Sequence, residues 1–368
     1  MINKMVVANL VQRPIRSLIS ISAVALEVIL ILMIVSFFYG QLNGSKASQV
    51  GVGADVMVQP PGSSALVGVN GASVPMKVGD KLRQLPHVVV AAPVIWELTT
   101  KPTLEIIYGI DLATYNSIPP SFRFLSGGAF QQPYDVIVDD YFAGMKKVKL
   151  GDSIEILNHQ FRICGIVEHG KGARKFVPLP TLQDLIGASD HASVFYIKVD
   201  DPANVDAVVN EIAQVPGMEN YSARSMQEYL SMMTPENLPG FATAIRIVVA
   251  ISMIIGFLVI FQSMYTAVME RTREIGILKA LGASKLYIVS AVIRESALLA
   301  IVGIIVGTII SAVARRIILA ELPTQRLFWS NEWVLRATLL ALFGALAGAL
   351  YPAYKAAQKD PIDALAYE

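Results

Sequence analysis

Four stretches of this chain are apolar for long enough to cross a lipid bilayer, and the polar segments between them divide it. Residues 17–40 carry one acidic or basic side chain, Glu27, and residues 247–269 carry none between Arg246 and Glu270. Residues 296–314, entered through Arg294 and Glu295, and residues 337–354, preceded by Trp333, carry none either. At about 1.5 Å per residue these runs reach roughly 27 to 36 Å, against a hydrocarbon core of about 30 Å. The first is longer than a signal-peptide core of about 7–15 residues, so it predicts a retained helix. Four spans result, at 17–40, 241–269, 285–314 and 337–354, with Arg294 and Glu295 at an interface and 286–293 as a helical extension below it.

Between the first two spans the periodicity changes. Residues 88–94, 104–108, 134–138 and 193–199 read as strands, and 153–157 with 161–167 as a hairpin turning over Asn158-His159-Gln160. Asp139 and Asp140 are placed to start a helical turn, while 203–215 and 225–233 have helical spacing. Gly51, Gly53, Pro60, Pro61 and Gly62 punctuate the start of this region. The expected fold is therefore an α-helical membrane protein with four transmembrane helices and a large extracytoplasmic α+β domain, residues 41–240, inserted between helices 1 and 2. Residues 1–16 form a basic amphipathic lead-in, 315–336 an external loop, and 355–368 a tail.

The segment between the second and third spans, 270–284, lacks the composition of a loop. Glu270, Arg271, Arg273 and Glu274 are followed by Ile275, Ile277, Leu278 and Leu281, apolar at close to helical spacing, and Gly282 follows as a stop. A short charged amphipathic helix suits docking on a soluble partner; lying on lipid headgroups is the simpler alternative. The second span is expected to approach the 225–233 helix through a hinge, because Pro235 and Pro239 break helical continuity.

Composition agrees with a membrane assignment. Of 368 residues 54% are apolar and 16% charged, where soluble domains average about 45–50% and about 25%. A net charge of +1 gives no polyanion footprint, so nucleic acid is not an expected partner. The single cysteine, Cys164, excludes an intrachain disulfide framework and reads as a small apolar residue. Four spans put both termini on one side, where short segments carry Lys4, Arg13, Arg16, Arg271, Arg273, Lys279, Lys285, Lys355 and Lys359. The opposite short loop carries Arg315, Arg316, Arg326 and Arg336, so the balance predicts cytoplasmic termini.

Candidate chemistry is sparse. Glu27 falls about 16 Å along the helix from Arg16, near mid-bilayer, where a charge is expensive. It reads either as a proton or substrate group or as a protonated acid hydrogen-bonded to a neighbouring helix, and the lack of a second intramembrane charge favours the latter. Gly303 with Gly307 and Gly344 with Gly348 have the spacing that lets helices approach closely. The run from Gly165 to Gly172 begins like a phosphate-binding loop, but Gly172 stands where Ser or Thr would hold magnesium. His87, His159, His169 and His191 lack metal-ligand spacing, and no catalytic constellation is legible. No cofactor or metal is expected in this chain; any ATP and magnesium would be bound by a partner.

The segment 270–283 resembles the one after the second span in permeases of the MacB/FtsX-like, mechanotransmitting (type VII) ABC transporter superfamily. Asn9-Leu10 with Arg13, Arg16 and Ser17 is similar to that family's amphipathic start, and Pro352-Ala353, Ala356-Ala357, Asp360-Pro361-Ile362 and Ala364-Leu365 to its tail. Lys149-Leu150-Gly151-Asp152, Ile163-Cys164-Gly165-Ile166-Val167 and Phe176-Val177-Pro178-Leu179 resemble its periplasmic core. The resemblance implies a non-catalytic permease subunit of the bacterial inner membrane. Its partners would be a separate ABC ATPase, membrane lipids and a second permease copy, as homodimer or heterodimer. A periplasmic adaptor or other envelope protein is a further partner to consider. ATP-driven motion would then export or extract an envelope substrate, whether lipid, lipoprotein, peptide or drug. The alternative is an FtsX-like subunit that activates an external cell-wall hydrolase and transports nothing.

Overall fold

The computed structural model describes residues 12–61, 74–99, 105–238, 240–321 and 325–359. The expectations placed on residues 1–11, Gly62, Leu104, Pro239 and the 360–368 tail lie outside these. The chain forms two compact units, a helical one containing residues up to Gly40 and from Gly240 onward, and a sheet unit from Gln41 to Pro239.

Four helices are long and apolar enough to cross a membrane: α1 (Pro14–Val52), α8 (Phe241–Glu270), α10 (Lys285–Glu321) and α11 (Asn331–Gln358). The first exceeds the 17–40 expectation, because Gly40 and Gly51 do not end it. A Cβ on Gly40 would overlap the Arg326 carbonyl, and one on Gly51 the Gly170 carbonyl. These glycines serve close backbone approach rather than termination.

In the helical unit, Val24, Val28, Ile31 and Val35 of α1 form one stripe at helical spacing. They pack with Ile260 and Met264 of α8, Leu299, Ala300 and Ile304 of α10, and Ala337, Ala341, Ala345 and Ala349 of α11. Every fourth residue of that α11 stripe is alanine, so neighbouring backbones can come close. Gly303, Gly307 and Gly348 are used in the same way, whereas a Cβ on Gly344 would meet Met253 at an ordinary 3.7 Å. A Cβ on Gly303 would stand 2.7 Å from Val24 Cβ, one on Gly307 2.7 Å from the Ala25 carbonyl oxygen, and one on Gly348 2.7 Å from that of Phe257. Phe38 packs edge-on against Phe241, and Tyr39 edge-on against Trp333 and stacked with Phe328, an aromatic cluster at one end of the bundle.

The sheet unit holds strands β1 (Val56–Gln59), β2 (Val74–Pro75), β3 (Val88–Thr99), β4 (Glu105–Ile110), β5 (Phe124–Gly127) and β6 (Asp135–Asp139). They continue as β7 (Ser153–Ile156), β8 (His159–Val167), β9 (Lys175–Pro178), β10 (His191–Ala192), β11 (Val194–Val199) and β12 (Ser222–Ser225). Ten make one mixed sheet in the order β12-β1-β11-β3-β4-β9-β6-β8-β5, with β7 on β8, while β2 pairs β10. Between them lie α2 (Lys77–Arg83), α3 (Leu112–Asn116), α4 (Asp140–Lys146), α5 (Leu179–Ile186), α6 (Val205–Gln214) and α7 (Met226–Met232).

Strand alternation sends Val194 and Tyr196 of β11 to one face and Phe195 and Ile197 to the other. Asp139 caps α4 by accepting the Phe142 amide, as the Asp139-Asp140 pair suggests. The β7–β8 turn is shorter than expected, two residues with positive φ at Leu157 (49°) and Asn158 (62°), which matches strand twist. After α7, residues 233–238 are not helical, so no helix continues from α7 into α8 through Pro235.

The last turns of α1 belong to the sheet unit's core. Leu42 and Val52 pack with Trp96, Tyr108, Tyr115 and Tyr196. Gln49 donates to the Tyr108 hydroxyl at 3.1 Å and accepts from that of Tyr196 at 2.8 Å. The Lys171 ammonium donates to the Val52 carbonyl at 3.2 Å, a cationic cap at a helix C-terminus. Burial holds that ammonium down, to about 8.

Candidate functional site

The helix expected after the second span is α9 (Thr272–Ala280), closed by Gly282 at φ 96°. It is set off from α8 by Arg271, whose φ of −109° and ψ of 18° leave the helical region. The structure divides the eight residues singled out in this segment. Ile275 is buried and Leu278 half-buried, packing with Val268 of α8, Ile288 of α10 and Ala356 and Ala357 of α11. Arg273, Glu274, Ile277 and Leu281 are exposed, Leu281 at 80% and Leu286 beyond it at 79%. Arg273, Ile277 and Leu281 recur every four residues and share one face.

Glu270 and Arg271 point elsewhere. Glu270 pairs with Arg13, and with Arg16 at 3.5 Å. Arg271, 8% exposed, pairs with Glu295 at 3.3 Å, and Arg16 reaches the other oxygen of that carboxylate at 3.1 Å. One buried carboxylate of α10 is thus held between the start of α1 and the end of α8, which fixes where α9 begins. Lys279 donates to the carbonyls of Ala357 and Lys359 and ties α9 to the end of α11. Glu295, Arg13, Arg16 and Lys279 were not among the expected site residues. The signal for Arg13 was a seven-residue step: Arg13 just before α1, and Ser20 and Glu27 on it, stand opposite Glu270, Ser263 and Gly256 on α8.

Glu27 is 1% exposed, and neither carboxylate oxygen has a hydrogen-bond partner. The expected bond to a neighbouring helix is not made. Its neighbours at the crossing are glycines: a Cβ on Gly256 would collide with Oε2, and one on Gly344 would come 3.9 Å from Oε1. Space for the carboxyl comes from missing side chains rather than from a polar partner.

The phosphate-loop resemblance dissolves in three dimensions, since Gly165 to Val167 belong to β8 and Lys171 is turned inward to Val52. The histidines bond locally, His169 to Asp140, His87 to Asp200, and His159 and His191 to the Leu157 and Ser189 carbonyls. Among the described residues no three His, Cys, Asp or Glu side chains converge as a metal site would require.

Residues 17–215 match the MacB-like periplasmic core domain family, and residues 246–361 the FtsX-like permease C-terminal family. An uncharacterized ABC transporter permease, YknZ of Bacillus subtilis, is 28% identical over 234 residues, covering 61% of this chain and 58% of the relative. A macrolide export ATP-binding/permease protein, MacB of Nitrobacter winogradskyi, is 24% identical over 396 residues, covering 98% of this chain. The chain spans 59% of that relative's length. The crystal structure of the periplasmic region of MacB from Actinobacillus actinomycetemcomitans aligns with a TM-score of 0.39 and 15% identity, covering 52% of this chain and 97% of its own.

Proposed function

Because this chain belongs to the ABC transporter permeases that carry a MacB-like periplasmic core and an FtsX-like C-terminal region, we propose that α9 is its coupling helix, docked on an ATPase subunit. The observation that carries this reading is the outward row Arg273, Ile277 and Leu281, continued by Leu286 and flanked by Glu274. Apolar anchors one turn apart between charges are how an amphipathic helix enters a partner's groove. The inner face, through Ile275, Leu278 and Lys279, anchors the helix to the bundle, so a push on α9 is delivered to α8, α10 and α11 together. Glu270 and Arg271 serve this site by positioning α9 rather than by touching the ATPase.

Motion then travels through α1. Its first turn belongs to the carboxylate cluster of Glu270 and Glu295, and its last turn is held in the sheet unit by Gln49 and by Lys171. In this reading α9 and both termini face the cytoplasm of a bacterium, the sheet unit lies outside, and two permease copies work as a dimer. The work moves an envelope substrate such as a lipid, lipoprotein, peptide or drug. A photoactivatable cross-linker placed at Leu281 of the full chain in native membranes tests the docking directly. Cross-linking to a nucleotide-binding subunit from Leu281, and not from an equivalent probe at Tyr287 on the inner side, is the expected result. Capture of lipid alone would overturn it.

A further inference from the structure

The seam between α1 and α8 is built in polar layers seven residues apart. Arg13 meets Glu270 at one end, Ser20 Oγ lies 2.6 Å from Ser263 Oγ in the middle, and Glu27 lies against Gly256 deepest. A seven-residue repeat keeps one face of each helix on its partner, so the three layers belong to a single register. Two of them are satisfied within the seam. The third is not.

An ionised carboxylate at that place would have no counter-charge. Between Arg16 and Lys46 of α1, Arg246 and Glu270 of α8, Glu295 and Arg315 of α10, and Arg336 and Lys355 of α11, Glu27 is the one Asp, Glu, Lys, Arg or His. The phenols of these segments are Tyr39, Tyr265, Tyr351 and Tyr354, and Tyr265 binds Lys355. Burying a lone charge costs far more than burying a neutral acid. Even a neutral carboxyl forfeits its hydrogen bonds here, so the closed seam fits the group sterically and leaves it chemically unsatisfied. A groove of about 630 Å³ runs along the same seam from Arg13, Arg16 and Glu270 past Thr266 and Ser263, with Ile19, Leu258 and Val259 as its deeper apolar walls, and Glu27 does not line it.

We propose that Glu27 is a proton-binding site of the helical unit, holding its proton while α1 and α8 are closed and releasing it to water when they part. In the closed seam the group is a carboxylic acid; on opening, its O–H bond breaks, the carboxylate keeps the electron pair, and water entering past Ser20 and Ser263 takes the proton. Closure needs a proton back from the same side. The site needs only the seam, so it stands or falls independently of ATPase docking.

Infrared spectroscopy of the full chain in lipid vesicles reads the proton directly. At about pH 7, where a glutamate of pKa about 4.3 is ionised, the wild type should show a protonated-carboxyl stretch that Glu27→Gln lacks. The near-isosteric glutamine keeps the fold. No difference between the two would overturn the assignment. The link to opening is tested in a Cys164→Ser background by joining Ser20→Cys to Ser263→Cys. Cross-linking should move the band's disappearance upward by about one pH unit or more. An unchanged midpoint would show that release does not depend on the seam.

Discussion

Glu295 is the side chain on which the cluster below the bundle depends. It receives two guanidinium groups and is 5% exposed. Glu295→Ala leaves Arg16 and Arg271 facing each other and should cost about 3–5 kcal/mol in unfolding of the solubilised chain. Arg273→Ala, on the exposed face of α9, should stay within about 0.5 kcal/mol in the same measurement. In sequence the two arginines look alike, and both were expected at the docking surface. Only the partner 24 positions away in α10 separates them. Lys171 gives a pH signature of its own. Its ammonium titrates at about 8 in the folded chain, against 10.5 for the ordinary lysine that the unfolded chain presents, so between these values the unfolded chain binds more protons. Stability should therefore rise with pH across that window, and Lys171→Met should abolish the rise in pH-dependent thermal melts.

Helices show where pattern suffices and where it does not. The four apolar runs located the four helices that, among the described residues, are long and apolar enough to cross a membrane, because hydrocarbon requires unbroken apolar length. They did not show where α1 ends, since Gly40 and Gly51 have the same appearance in sequence whether they stop a helix or admit a neighbouring backbone. The strands lie where apolar runs bounded by turn residues placed them, yet β3 extends to Thr99, past the Val94 end expected for it. Ala91 to Trp96 are buried on both faces and Glu97 and Leu98 only half-buried, a continuous run whose end periodicity alone does not resolve. The glycine pairs carry a prediction at this scale. Gly307→Val would press into Ala25 and Val28 of α1 and should cost about 1–3 kcal/mol by overpacking. Gly128→Ala, in the sheet unit, has open space around it and serves as the control in the same denaturation series.

For the molecule as a whole, family membership came from motifs spread over its length, and the α9 motif gained its geometry only from the fold. Residues 270–281 read as one amphipathic surface; the bundle turns Ile275 and Leu278 inward, ties Glu270 and Arg271 to other helices, and leaves Arg273, Ile277 and Leu281 outside. The central claim is that this outer row receives the ATPase. Its most direct test is to purify the tagged full chain from native membranes as wild type and as Ile277→Asp with Leu281→Asp, and to measure the ATP hydrolysis that travels with each. Both side chains are exposed, so the variant should fold and melt like the wild type. The account predicts that it loses the accompanying ATPase activity at least tenfold, about 1.4 kcal/mol of binding. Undiminished activity on a normally folded variant would contradict it.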